Sequence, residues 1–250
     1  MSLGSARGYW GEDVTFEYQW LANGVAIEGA TNSYYMIKPE QVGKKITLQV
    51  TGSKDGFVTT SRTSAATDTV APGVFTAPTP TISGTIQVGK VLNSARGYWG
   101  EDVTYEYQWF ADGAAIDGAT NWQFTVKPEQ LGMKLTVQVT GSKAGYVTAS
   151  KMSEATVEVA ARPMTSSIPS ISGIARVGNT LGSTRGSWTS GSTFEYQWFA
   201  DGVAIDGATN STLTLTSAEA GKKITVAVTG SKFGYVTTTE TSQETVAVAE

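Results

Sequence analysis

Through Tyr105-Glu106-Tyr107-Gln108-Trp109, aromatic and polar residues alternate, the period of two expected of a strand that buries one face. After Phe110-Ala111, Asp112-Gly113 closes the run with residues that tolerate positive φ, so the stretch predicts a strand entering a hairpin. The stretch recurs with small changes as Phe16 to Gly24 and as Phe194 to Gly202. Its tryptophans Trp20, Trp109 and Trp198 stand 89 residues apart each time (109 − 20 and 198 − 109), without a gap, so the chain reads first of all as a repeat array.

One full copy predicts seven short strands, near residues 81–86, 90–99, 104–110, 114–117, 122–126, 134–140 and 146–159. In the first copy Ile46-Thr47-Leu48-Gln49-Val50 alternates strictly, and the Thr-rich segment from Val58 to Val70 suits a last strand. Lys38-Pro39-Glu40-Gln41-Val42-Gly43 can form a single helical turn, because Pro suits its start and Gly its end. Otherwise almost no helix is expected. Short strands separated by turn residues imply a two-sheet sandwich, with Tyr107, Trp109, Ile116, Phe124, Leu135, Val137 and Val139 as the core of the second copy.

The period divides the chain into three expected domains, 1–76, 77–165 and 166–250. Ser5-Ala6-Arg7-Gly8-Tyr9-Trp10 aligns with Ser94 to Trp99, and Leu3 aligns with Leu92 and Leu181, but nothing matches Pro80 to Val91. The first copy is therefore read as truncated, with Met1-Ser2-Leu3 as an expression scar. It is expected to present an open sheet edge that frays or recruits a strand from a neighbouring molecule. The connectors Ala71 to Pro80 and Ala161 to Pro169 are short and proline-bearing, so a linear array of monomeric chains with few contacts between domains is expected.

The order of features, a strand bearing Trp, an Asp-Gly turn, a further strand, a one-turn corner ending in Gly and an alternating strand, resembles the immunoglobulin fold without its bridging cysteines. More finely, Ile-Ser-Gly, Gly-x-Trp, Tyr-Gln-Trp, Ile-x-Gly-Ala-Thr and Val-Thr-Gly-Ser-Lys resemble the tandem immunoglobulin-like repeats of secreted and wall-associated proteins of Gram-positive bacteria, especially actinobacteria. The resemblance covers essentially the whole chain. It implies an extracellular or cell-surface spacer or adhesion array, often joined to enzyme or anchoring domains.

Composition narrows the chemistry. Eighteen basic and 22 acidic residues give a net charge of −4 with no run of either sign, which argues against nucleic acid as partner. With no Cys and no His, disulfides, thiolate nucleophiles and His-based acid–base or metal chemistry are excluded. No apolar run approaches the ~20 residues that span a bilayer, and the N-terminus does not read as a signal peptide, so an exported protein would contain this chain as an internal fragment. Gly84 to Lys90 fits G-x-x-x-x-G-K, but Val91 stands where a phosphate loop needs Ser or Thr, and a strand follows instead of a helix. Glu106, Lys134 and Asn121 have the residue types of an isopeptide bond, yet Glu106 lies an odd number of residues from Trp109 and should face water. Asp112, Asp117, Glu101 and Asp102 are too dispersed for a calcium loop. Asn210-Ser211-Thr212 matches a glycosylation sequon by pattern alone. No cofactor or metal is expected, and no pair of acids shares an inward face as a hydrolase would require.

One constellation is aromatic. Tyr98 and Trp99 end the predicted second strand, while Lys143 and Tyr146 sit in the loop before the last; Tyr9, Trp10, Trp188 and Tyr235 are their counterparts. In a sandwich these loops share one end, so the residues form a candidate ligand or interdomain patch, with Trp122 as a further exposed ring. Aromatic faces beside charged tips suit a cell-wall glycan or a protein segment. The preferred alternative is packing of Trp99 and Tyr146 on the connector around Phe75 and Pro78. The chain accordingly reads as a non-catalytic spacer or adhesion array, with a carbohydrate or cell-wall binding module tethered to an enzyme as the second reading.

Overall fold

The computed structural model describes residues 1–250 as an all-β chain. The first repeat contributes β1 (Ser2–Gly4), β2 (Thr15–Ala22), β3 (Val25–Ala26), β4 (Tyr34–Met36), β5 (Ile46–Ser53) and β6 (Thr60–Thr63). The second contributes β7 (Thr81–Ser83), β8 (Val91–Ala95), β9 (Thr104–Ala111), β10 (Ala114–Ala115), β11 (Gln123–Thr125), β12 (Leu135–Ser142) and β13 (Ala149–Met152). The third repeats that set as β14 (Ser170–Ser172), β15 (Thr180–Thr184), β16 (Thr193–Ala200), β17 (Val203–Ala204), β18 (Thr212–Thr214), β19 (Ile224–Ser231) and β20 (Thr238–Thr241). Single 3-10 turns stand at Pro39–Gln41, Pro128–Gln130 and Ser217–Glu219.

Each repeat makes one four-stranded sheet, ordered β3-β2-β5-β6, β10-β9-β12-β13 and β17-β16-β19-β20. The opposing sheet has three strands in the later repeats, β7-β8-β11 and β14-β15-β18, but only β1 and β4 in the first. The hairpins β2-β3, β9-β10 and β16-β17 turn on Asn23-Gly24, Asp112-Gly113 and Asp201-Gly202, where both residues of each pair have φ between 46° and 82°. That double left-handed turn matches the right-handed twist of the strands it joins.

Packing groups the chain into two compact units, one of Met1–Pro80, Arg96–Tyr107 and Gln138–Met152, the other of Thr81–Ala95, Gln108–Val137 and Ser153–Glu250. In the first unit β2 pairs with β5 from Thr15↔Ser53 to Ala22↔Ile46. Trp20, Ala22, Tyr35, Ile46, Leu48 and Val50 are buried there. In the second, β16 pairs with β19 in the same register, from Thr193↔Ser231 to Ala200↔Ile224. Trp198, Leu181, Leu215, Ile224, Val226 and Val248 form the core of its third repeat. The strand pattern explains these interiors, because every inward position is apolar and every second position meets the opposing sheet.

Of the predicted core, Trp109, Phe124, Leu135, Val137 and Val139 are buried. Tyr107 and Ile116 are only half-buried. The Tyr107 hydroxyl is drawn outward to accept from the Arg96 guanidinium at 3.4 Å. The strands are also shorter than the alternation predicts. The second ends at Ala95, which leaves Tyr98 and Trp99 in a loop. The last ends at Met152, where hydroxyls take over the ladder: the Val137 N–H donates to Ser153 Oγ at 3.0 Å and the Leu135 N–H to Thr156 Oγ1 at 2.9 Å. Since Ser153 and Thr156 still donate their own N–H groups to the Val137 and Leu135 carbonyls, three residues on one strand span two on the other, a bulge held by side chains.

The later repeats contain a pairing that the pattern did not predict. The segment after the first strand lies parallel to the end of the last, through the bridges Gln87↔Ala160 and Arg176↔Ala249. Their core positions Leu92, Val126 and Val159, and Leu181, Leu215 and Val248, are at most 3% exposed. Their counterparts Leu3, Ile37 and Val70 in the first repeat are half-buried.

Candidate aromatic interface

Each repeat holds a tryptophan in the loop that leads into β2, β9 or β16. The indole N–H donates to the carbonyl three residues earlier, Trp10 to Arg7 at 2.6 Å, Trp99 to Arg96 at 2.9 Å and Trp188 to Arg185 at 2.7 Å. That bond lays the ring over a glycine of the long strand β5, β12 or β19: a Cβ on Gly52, Gly141 or Gly230 would stand only 2.6–2.8 Å from it. These glycines are required by close approach. Behind each indole an aromatic ring presents its edge, Phe16 at 5.8 Å, Tyr105 at 5.9 Å and Phe194 at 5.5 Å. Arg7, Arg96 and Arg185 cap those rings at 4.4, 4.2 and 4.4 Å, completing a layered stack of cation, aromatic and indole. Sequence reading singled out the tryptophans but not the arginines, although Arg7-Gly8-Tyr9-Trp10, Arg96-Gly97-Tyr98-Trp99 and Arg185-Gly186-Ser187-Trp188 share the period.

The connector covers the stack of the second repeat. Phe75 lies 5.9 Å from Trp99 and stacks on Tyr146 at 5.1 Å. The Gly73 N–H donates to the Gly145 carbonyl at 2.8 Å, and the Val147 N–H to the Gly73 carbonyl at 2.9 Å. Lys143 Nζ donates to the Glu101 carbonyl at 2.8 Å and sits 5.4 Å from the Tyr146 ring. Trp99 is consequently 5% exposed, whereas Tyr98 is 73% exposed and points to solvent.

At the next junction Arg162 makes the bonds of Gly73, donating its N–H to Gly234 and accepting from Val236. Its guanidinium lies 5.5 Å from the half-buried Tyr235 ring. Met164 replaces Phe75, with its sulfur beside Gly230 and near the half-buried Trp188. Pro39 packs on Gly145 and Pro128 on Gly234 in the same way, so the connectors and corners are in contact where few contacts were expected.

In the first repeat the stack borders an open cleft of about 450 Å³, lined by Tyr9, Trp10, Lys54, Phe57 and Arg62 among others. Arg62 lies 5.1 Å over Trp10 and Lys54 5.5 Å over Phe57. Tyr9 is 85% exposed. Phe57 is the period counterpart of Tyr146, so the repeat spacing alone would have identified it (146 − 89).

These ends carry aromatic faces and cations, which can hold a polar ring or a peptide. Glu17, Glu106 and Glu195 are exposed. They are therefore not enclosed as the acid of an isopeptide bond must be.

No family model matches the chain. It is 25% identical over 247 residues to the highly immunogenic outer capsid protein of Enterobacteria phage T4, a match that covers 93% of this chain. The chain spans 65% of the length of that curated relative. Among solved structures it is similar to three N-terminal domains of the corresponding bacteriophage RB49 protein, with 15% identity, 94% and 89% of the two chains covered and a TM-score of 0.30. It is also similar to a Ca2+-stabilized adhesin of an Antarctic bacterium that binds ice, with 13% identity, 92% and 65% covered and a TM-score of 0.34. The fold assignment rests on the strand order and paired sheets described above.

Proposed function

We propose that this chain is a non-catalytic array of three immunoglobulin-like repeats, 1–76, 77–165 and 166–250, displayed on a surface as a monomeric spacer or adhesion element of a secreted or surface-attached protein. The observation that carries this reading is the seating of both connectors on the aromatic end of the following repeat, Phe75 on Trp99 and Tyr146, and Arg162 with Met164 on Tyr235 and Trp188. Packed junctions suit a protein whose work is to hold a separation. Support comes also from the absence of His and Cys and from the similarity to an outer capsid protein. The resemblance to wall-associated repeats extends the reading to a bacterial cell surface. Antibodies raised against the folded chain are expected to label intact cells or particles; labelling only after lysis would overturn the proposal.

A second reading is favoured by the open cleft at Tyr9, Trp10, Phe57 and Arg62, whose rings and cations suit a sugar or cell-wall glycan. On a glycan array it predicts binding that Trp10→Ala abolishes in a chain that remains folded.

A further inference from the structure

The hairpin between β2 and β3 turns on Asn23-Gly24, whereas its siblings turn on Asp112-Gly113 and Asp201-Gly202. The three turns are built alike. The Asn23 N–H donates to the Lys45 carbonyl at 2.9 Å, and Asn23 Oδ1 accepts from the Lys45 N–H at 2.8 Å. Asp112 makes the same pair of bonds with Lys134, each at 2.9 Å, and Asp201 with Lys223, again at 2.9 Å. A carboxylate at this position is thus already accommodated in both sibling repeats.

An asparagine followed by glycine carries its own reaction. The glycine nitrogen can attack the side-chain carbonyl carbon, because the following residue has no Cβ to hinder the approach. No other asparagine of the chain precedes a glycine. Asn23 and Gly24 are both exposed, and a Cβ built on Gly24 would meet nothing within 4 Å, so the turn is open to water. The restraint is the bond from Lys45: while its N–H holds Oδ1, the side chain is not free to swing onto the Gly24 nitrogen. That restraint is local, since β3 contributes only the pairs Leu21↔Ala26 and Ala22↔Val25 and the turn can open without the sandwich.

We propose that Asn23 is a site of spontaneous modification, and that the hairpin accommodates one product and not the other. The Gly24 nitrogen, having given its proton to solvent hydroxide, forms a bond to Asn23 Cγ as the bond from Cγ to the amide nitrogen breaks and ammonia leaves with a proton from water. Water then opens the five-membered imide. Cleavage at Cγ gives aspartate with the main chain restored, and cleavage at the backbone carbonyl gives isoaspartate, in which the chain runs through Cβ and Cγ. Nothing is oxidised or reduced. Aspartate reproduces the turns at Asp112 and Asp201, with a charge-assisted bond from the Lys45 N–H. Isoaspartate adds a backbone atom to a two-residue turn and takes away the acceptor that Lys45 uses, so β3 should come away from β2. The inference goes beyond surface display and does not depend on it.

The test ages the whole chain in mildly alkaline buffer beside a synthetic peptide of the sequence Leu21–Ala26, and follows both by peptide mass spectrometry. A gain of one dalton is expected at Asn23 before any other asparagine, several-fold slower in the folded chain than in the peptide. Both products are expected, and electron-transfer fragmentation tells them apart. Hydrogen exchange should find the Lys45 amide protected in the aspartate chains and exchanging freely in the isoaspartate chains. Asn23→Asp should match the unmodified chain in thermal unfolding. No conversion in the folded chain once the peptide has converted fully would overturn the proposal. So would conversion as fast as in the peptide, the absence of either product, equal protection of Lys45 in both, or a lower melting temperature for Asn23→Asp.

Discussion

Glu219 places a carboxyl where the first two repeats have Gln41 and Gln130, and all three side chains are buried. The glutamines accept from the backbone N–H groups of Lys38 and Lys127. Glu219 Oε2 accepts from the Thr216 N–H at 2.8 Å and from its hydroxyl at 2.7 Å. Burial pushes the Glu219 pKa up, but the Thr216 bonds, helped by Lys222, outweigh it and hold the carboxyl below the ordinary value of 4.5. A depressed folded value gives stability that is present above the ordinary carboxylate range and lost as the pH falls through it. The third repeat should therefore weaken on acidification, and Glu219→Gln should flatten that dependence; thermal unfolding at about pH 3 and about pH 7 checks both. Trp198, 0% exposed and bonded through Nε1 to the Asn210 carbonyl, should cost about 3–5 kcal/mol when replaced by Ala, measured by denaturant unfolding. That tryptophan was legible from alternation alone. Gln108 was not: the pattern places it on a polar face, yet its amide donates to the Trp109 and Ile116 carbonyls at 2.9 and 2.8 Å. Such a tie depends on how near the neighbouring strand comes, which no local pattern encodes.

The segments that follow strands β6, β13 and β20 share one device, a serine and a threonine whose hydroxyls take the N–H groups of the buried partner strand. In the third repeat the Val226 N–H donates to Ser242 Oγ at 3.0 Å. Ser242→Ala should leave that buried donor unpaired and cost about 1–3 kcal/mol, read as a lower melting temperature with faster exchange of the Val226 amide. Pattern reading placed every strand of a full copy and its hairpin turns, because period and turn chemistry are local. It overran their ends, because Thr and Ser favour a strand by composition while their hydroxyls interrupt its ladder. The corner turns were likewise legible from Pro39 and Pro128. Their packing on Gly145 and Gly234 was not, since it joins residues about one repeat apart.

Across the whole chain the period made the repeats legible. The parallel bridges were not legible, because they connect the two ends of a repeat. With Leu3, Ile37 and Val70 half-buried, the Val50 amide should exchange faster than those of Val139 and Val228. Equal protection of the three, followed by hydrogen-exchange mass spectrometry, would mean that the lower burial of Leu3, Ile37 and Val70 does not loosen the first repeat. At the junction, Phe75→Ala should release the connector from Trp99 and Tyr146 and speed its cleavage by added protease, with the repeats themselves intact. The bridges Gln87↔Ala160 and Arg176↔Ala249 also have a mechanical side. Each ties the segment entering a repeat to the segment leaving it, side by side and parallel, so a pull on the two ends drags those bonds lengthwise and loads them together. Ala71 has no such partner. Stretched between its ends, the chain should give way at the first repeat and at lower force than at the others, releasing length there while the remaining two still bear the load.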